Sequence, residues 1–207
     1  ARTSFEEALK LAGVPDDLRT RRMETPGISS VSIAALLTKL GDAFSGDFDA
    51  DSALAAYVRA RRVLEGNVDD GGGAARLAEL LAKMGSARSE QGDVDGALED
   101  YLEARRLLVE CVGAEALETE SGAELLVNIG DMYVQQGEFD EGLYEYEAAH
   151  RVFEASGPMR TRAHASLLVN MGSMLGELGD FEAAVGKFRE ARRIFEAEAL
   201  LDTLEGA

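Results

Sequence analysis

One motif written four times limits what this 207-residue chain can fold into. The copies read LLTKLGDAFSGDFDADSALAAYVRARRVLE, LLAKMGSARSEQGDVDGALEDYLEARRLLVE, LLVNIGDMYVQQGEFDEGLYEYEAAHRVFE and LLVNMGSMLGELGDFEAAVGKFREARRIFE. Gly41, Gly85, Gly130 and Gly172 anchor them at nearly even intervals. Twelve residues after each glycine stands a small residue: Ala53, Ala97, Gly142 and Ala184. Four further on come Tyr57, Tyr101, Tyr146 and Phe188, and three beyond those Ala60, Ala104, Ala149 and Ala191. Repeats of this length are single supersecondary units that bury their apolar faces only by stacking on one another.

The spacing within a copy is helical. Leu37, Leu40, Gly41 and Phe44 follow the i, i+3, i+4, i+7 stripe of one helix. Ala53, Tyr57 and Ala60 follow the stripe of a second. Between them lie GDFDAD, GDVDG, GEFDE and GDFEA. A glycine followed by acidic residues ends one helix and caps the next. Each copy therefore predicts helix, tight turn, helix. The glycine admits a close neighbour, and the aromatic fills the space beside it.

This pattern of small and large residues resembles the tetratricopeptide repeat. The spacing exceeds the family's usual period of about 34 and is similar to the longer variety found in kinesin light chains and adaptor proteins. The extra residues fall between copies, in EGNVDDGGGAA, ECVGAEALETESGA and EASGPMRTRA. The sequence departs from the family pattern at Arg88, where Tyr or Leu is usual, and at Gly142, where Ala is usual. Phe48 takes the place of the turn glycine in the first copy. Arg88 is expected to lay its stem on the core and send its charge to water. Gly142 is expected to weaken its helix by about 0.5–1 kcal/mol.

The resemblance implies an all-α, right-handed α-solenoid of four helical hairpins, at about 31–66, 75–110, 120–155 and 162–197. Residues 1–30 read as a helical cap or arm. Thr3 and Ser4 with Glu6 and Glu7 offer capping boxes for a short helix through Leu11, and Pro15 suits the start of another. Residues 198–207 read as an extension of the last helix. The triplet of glycines at 71–73 reads as a flexible connector.

Net charge is −18. Such a surface repels phosphate backbones, so nucleic acid is not an expected partner; a basic protein segment is. No apolar run is long enough to span a membrane, and the start lacks a signal-peptide pattern. An intracellular, cytoplasmic protein is expected, with import into an organelle the alternative, since the chain opens on Ala1 and not Met.

The family resemblance places the first helix of each hairpin along a concave groove. Two rows follow from it. Lys39, Lys83, Asn128 and Asn170 stand two residues before the anchoring glycine, and Asp42, Ser86, Asp131 and Ser173 one residue after it. Side-chain amides in a row can bond the backbone of an extended peptide whatever its sequence. The lysines can meet acids at one end, with Glu79, Glu124 and Glu177 nearby. A second, basic row comprises Arg61–Arg62, Arg105–Arg106, His150–Arg151 and Arg192–Arg193. These close helices that open with acids, so they read as partners of the helix dipole.

Catalysis and metal binding lack a signature. His150 and His164 have no second histidine at ligand spacing, and the single cysteine, Cys111, reads as a packed small residue. Met84, Met132, Met171 and Met174 read as core. No enzyme activity and no cofactor are expected. The expectation is a protein-interaction module, adaptor or scaffold, holding a partner segment in its groove. Two other readings stand beside it: a permanent subunit of a large assembly, docking through the convex face or the N-terminal arm, and a regulatory fragment of a longer enzyme.

Overall fold

A computed structural model describes residues 30–65, 71–155 and 162–205. The short helices expected through Leu11 and from Pro15 lie outside the described residues. Eight α-helices occupy the rest: α1 (Ser30–Gly46), α2 (Ala50–Glu65), α3 (Gly71–Glu90), α4 (Val94–Leu107), α5 (Glu120–Gln136), α6 (Phe139–Ala155), α7 (Arg162–Glu177) and α8 (Phe181–Glu205). Consecutive helices pair as four hairpins, α1/α2, α3/α4, α5/α6 and α7/α8. No strand occurs among the described residues. The chain divides into two compact units, Ala1–Val68 and Asp69–Ala207. The first holds α1/α2; the second holds the other three hairpins.

The turn inside each hairpin is built the same way four times. Its first helix ends on a residue in the left-handed region: Phe48 (φ 58°), Gly92 (79°), Gly137 (83°) and Gly179 (85°). The next N–H reaches back to a carbonyl five residues earlier: Asp49 to Phe44 (2.9 Å), Asp93 to Arg88 (3.0 Å), Glu138 to Tyr133 (2.9 Å) and Asp180 to Leu175 (2.9 Å). This bond satisfies a carbonyl the helix leaves orphaned. The aspartates then cap the second helix, each accepting from the N–H three residues on at 3.1 Å: Ser52 to Asp49, Gly96 to Asp93 and Ala183 to Asp180. The Ser52 hydroxyl, helped by that N–H, holds the Asp49 carboxyl below the usual carboxylate range. The first copy thus makes the same turn without glycine, by holding Phe48 in a conformation that an L side chain adopts at a cost of about 1–2 kcal/mol.

Inside each hairpin the anchoring glycine lies flat against the aromatic ring. A Cβ added at Gly41, Gly85, Gly130 or Gly172 would stand 2.3–2.8 Å from a ring carbon of Tyr57, Tyr101, Tyr146 or Phe188. Tyr57, Tyr101 and Tyr146 are buried, as are the methionines Met84, Met132, Met171 and Met174.

Three expectations are corrected, at Arg88, at glycines 71–73 and at Cys111, and Gly142 has a further role. Arg88 does not send its charge to water: its Nε lies 3.1 Å from Oδ2 of Asp100, which is 5% exposed, and its Nη1 lies 3.7 Å from Asp93. A cation and an anion have been placed together beneath the hairpin where other copies keep Phe44, Tyr133 or Leu175 opposite Ala56, Glu145 or Lys187. Gly142 also has a packing role. Its missing Cβ makes room for Val134, whose Cγ2 would lie 2.7 Å away, where other copies have Ser45, Ser89 and Gly176. Glycines 71–73 are the first turn of α3 and not a connector; Gly73 and Ala74 are buried, and that packing outweighs glycine's poor helix propensity. Cys111 is exposed, because the chain widens after Leu107 into a π turn (Leu108–Val112) that leaves the buried helix face.

Candidate functional site

In the second unit the first helices of the hairpins, α3, α5 and α7, carry the two polar rows. Lys83 on α3 is half-buried, with its Nζ 4.0 Å from Glu79 one turn away. Asn128 on α5 is half-buried, and its amide has no hydrogen-bond partner among the described residues. Asn170 on α7 donates from Nδ2 to Oδ1 of Asp131 on α5 at 2.9 Å. The two amides that the sequence makes equivalent therefore differ. Asn170 is tied to the neighbouring hairpin and keeps its carbonyl oxygen, whereas Asn128 keeps both ends. Lys39 is exposed on α1 in the first unit.

The row after the glycine has a job inside the hairpin. The hydroxyl of Tyr57 donates to Asp42 Oδ1 at 2.9 Å, Ser86 Oγ lies 3.1 Å from the Tyr101 hydroxyl, and the Tyr146 hydroxyl donates to Asp131. Ser86 also donates to the Ala82 carbonyl at 3.1 Å. In the fourth copy Phe188 has no hydroxyl, and Ser173 is exposed. A polar residue beside the glycine is what lets a phenol be buried with its oxygen paired. The sequence carries this signal: Tyr with Asp or Ser in three copies, and Phe with Ser in the fourth.

Asp131 is the node of this network. Burial pushes its carboxyl above the usual range, against the lowering effect of its bonds from Tyr146 and Asn170. Burial, then the Asp131 carboxylate, push the Tyr146 phenol far above its ordinary value. Burial also raises the Tyr101 phenol, with Ser86 opposing. These bonds lock phenol, carboxylate and amide across two hairpins.

The basic row faces carboxylates and neighbouring hairpins. Arg61 pairs with Glu65 at 2.6 Å, Arg106 with Glu103 at 2.7 Å and also with Glu110, and Arg192 with Glu196 at 3.3 Å. Arg105 crosses to the next hairpin and bonds the buried Glu145 at 2.7 Å. At the following joint the same position is His150, whose Nδ1 lies 2.8 Å from Nε2 of the fully buried His164 and whose Nε2 lies 3.4 Å from Lys187 Nζ. His164 in turn stacks on Phe153, with ring centres 5.3 Å apart. No group of three or more metal-ligating side chains occurs among the described residues.

Residues 123–197 match the sequence model of the tetratricopeptide repeat family. This stretch consists of tetratricopeptide repeats. Three solved structures extend the likeness beyond it. BtubC (BKLC) from P. vanneervenii superposes with a TM-score of 0.74 at 18% identity, over 96% of this chain and 73% of that one. MamA superposes with a TM-score of 0.62 at 16% identity, over 94% of this chain and 86% of that one. A Rap conjugation gene regulator of the plasmid pLS20, solved in complex with the Phr* peptide, superposes with a TM-score of 0.62 at 16% identity. It is matched over 86% of this chain, which spans 48% of the regulator's length. No curated protein sequence matches the chain. The likeness at these identities is one of fold: all-α, with hairpins of the tetratricopeptide type and, by their wide spacing, of the long variety. Among the described residues no helix is long and apolar enough to cross a membrane.

Proposed function

We propose that this chain is a non-enzymatic, intracellular adaptor that grips an extended segment of a partner protein along α3, α5 and α7. The reading rests chiefly on Asn128. A half-buried amide without a protein partner among the described residues retains a donor and an acceptor, the pair an extended backbone needs. Lys83 and Asn170 stand at its register in the neighbouring hairpins, and Lys39 at that register on α1. The residues after the glycines, Asp42, Ser86, Asp131 and Ser173, border the same row; the first three already hold phenols. Glu79, Glu124 and Glu177 are carried by the same helices, and with a net charge of −18 they favour a partner segment of basic character. The pLS20 regulator, of similar fold, is a protein seen with a peptide, which makes a peptide ligand a natural expectation here.

The test uses peptides selected on the full chain from a displayed library. Their affinity is then measured for Asn128→Ala and Asn170→Ala. Losing a bonded amide costs about 1–3 kcal/mol, so Asn128→Ala is expected to weaken binding about tenfold or more. Asn170→Ala, which also breaks the bond to Asp131, should act partly through stability. Unchanged affinity for both variants would remove the groove reading.

A further inference from the structure

We propose that the chain associates head to tail with a second copy of itself, the α7/α8 end of one molecule seating α1 of the next. The joint between α5/α6 and α7 shows what such a contact looks like. Its socket is Val127, Tyr146, Ala149, His150 and Phe153; its plug is Leu167, Met171 and Met174 of α7. Both halves recur elsewhere in the sequence, in register and uncovered.

The socket recurs one copy later, as Val169, Phe188, Ala191, Arg192 and Phe195. These residues, with Glu196, line an open and mostly apolar groove of about 420 Å³. Phe188 is 41% exposed where Tyr146 is 2%, and Phe195 is 38% exposed where Phe153 is 4%. The plug recurs in the first copy, as Leu36, Leu40 and Ala43 of α1. Leu36 is 47% exposed, whereas Leu167 is 0% and its counterpart on α5, Leu125, is 4%. Leu40 is half-buried and Ala43 exposed, whereas Met171 and Met174 are buried.

An apolar socket and an apolar plug of one repeating joint thus stand uncovered on the same chain. The two surfaces differ, so the contact is heterologous and propagates into a filament or closes into a ring. Charge permits it. In the joint between α4 and α6, Arg105 needs Glu145. At the open socket Arg192 keeps Glu196 of its own helix, and the residue in Glu145's place on α2 is Ala56. No buried ion pair has to form. Each copy carries −18, so long-range repulsion opposes association and salt favours it.

Sedimentation velocity of the full chain, over a concentration series at low and high salt, tests this. Average mass is expected to rise with concentration, more steeply at high salt. Phe188→Glu or Phe195→Ser in the socket, and Leu36→Glu in the plug, should each leave a monomer with unchanged helix content. All three side chains are more than a third exposed; Phe188 also packs on Gly172, and Phe195→Ser is the milder socket variant if Phe188→Glu disturbs folding. A mixture of a socket variant with Leu36→Glu should stop at dimers, because each retains one working half. A wild type monomeric throughout overturns the proposal. So does association that survives Leu36→Glu, which would mark a symmetric contact between two α8 faces.

Discussion

Replacing glycine by alanine inside a helix ordinarily stabilises it, by about 0.5–1 kcal/mol. Here the same change should have opposite signs in neighbouring hairpins. At Gly176 in α7 a Cβ would meet nothing within 4 Å, so Gly176→Ala should gain that full amount. At Gly130 in α5 it would meet two ring carbons of Tyr146 at 2.6 Å and the Gly142 carbonyl oxygen at 3.2 Å. Tyr146 cannot step aside, being 2% exposed and tied through its hydroxyl to Asp131. Overpacking of a rigid core costs about 1–3 kcal/mol; set against the helix gain, Gly130→Ala should lose up to about 2.5 kcal/mol. Gly172 is the intermediate case. Its Cβ would lie 2.8 Å from Phe188, but that ring is 41% exposed, lacks a hydroxyl and can swing outward, so Gly172→Ala should be close to neutral. Urea unfolding followed by circular dichroism gives the three values, compared by midpoint at constant slope. A Gly130→Ala protein as stable as Gly176→Ala would refute the idea that the ring fixes this position.

Three other substitutions probe the departures from the repeat pattern. Phe48→Gly should stabilise the first unit by about 1 kcal/mol, since Phe48 is 94% exposed and loses strain without losing packing; a fall in its melting temperature would contradict this. Arg88→Ala should cost about 3 kcal/mol by removing the guanidinium that faces the Asp100 carboxylate, which is 5% exposed. Arg88→Leu combined with Asp100→Ala should recover most of that in a double-mutant cycle, and simple additivity would show that the pair is not coupled. Asp131→Asn keeps an oxygen for Tyr146 and Asn170 but carries no charge. Because the folded-state carboxyl is raised, folded wild type binds its proton more tightly than the unfolded chain, and ionised Asp131 lowers stability above that raised value. Asp131→Asn should therefore be the more stable protein at neutral pH. Its advantage should shrink as pH falls toward the ordinary carboxylate range, and a difference independent of pH would count against burial as the cause.

What the sequence made legible is what recurs inside one copy. The glycine of the first helix and the aromatic of the second meet in all four hairpins, and the acidic caps sit where their spacing put them. Bonds between copies were hidden, because a residue that looks equivalent along the chain meets a different neighbour across a joint. Asn128 and Asn170 occupy one register, yet only Asn170 finds an aspartate, since the preceding copy offers Asp131 to Asn170 but Ser86 to Asn128.

The departures from the repeat pattern follow a rule that the sequence could have supplied. Copies of one motif form an internal alignment, and departures from it come in touching pairs. Arg88 departs from the apolar residues of the other copies, and it meets Asp100 of the same copy; they form an ion pair. Val134 is too large and Gly142 too small, both in the third copy; each makes room for the other. At the joints the rule extends across copies. Arg105 meets Glu145, and one copy later the same two positions read His150 and Lys187, where an imidazole nitrogen faces an ammonium in place of a guanidinium facing a carboxylate. Phe48 has no such companion. It is exposed, strained and uncompensated within the described residues, and this makes it the departure that packing inside the chain does not explain.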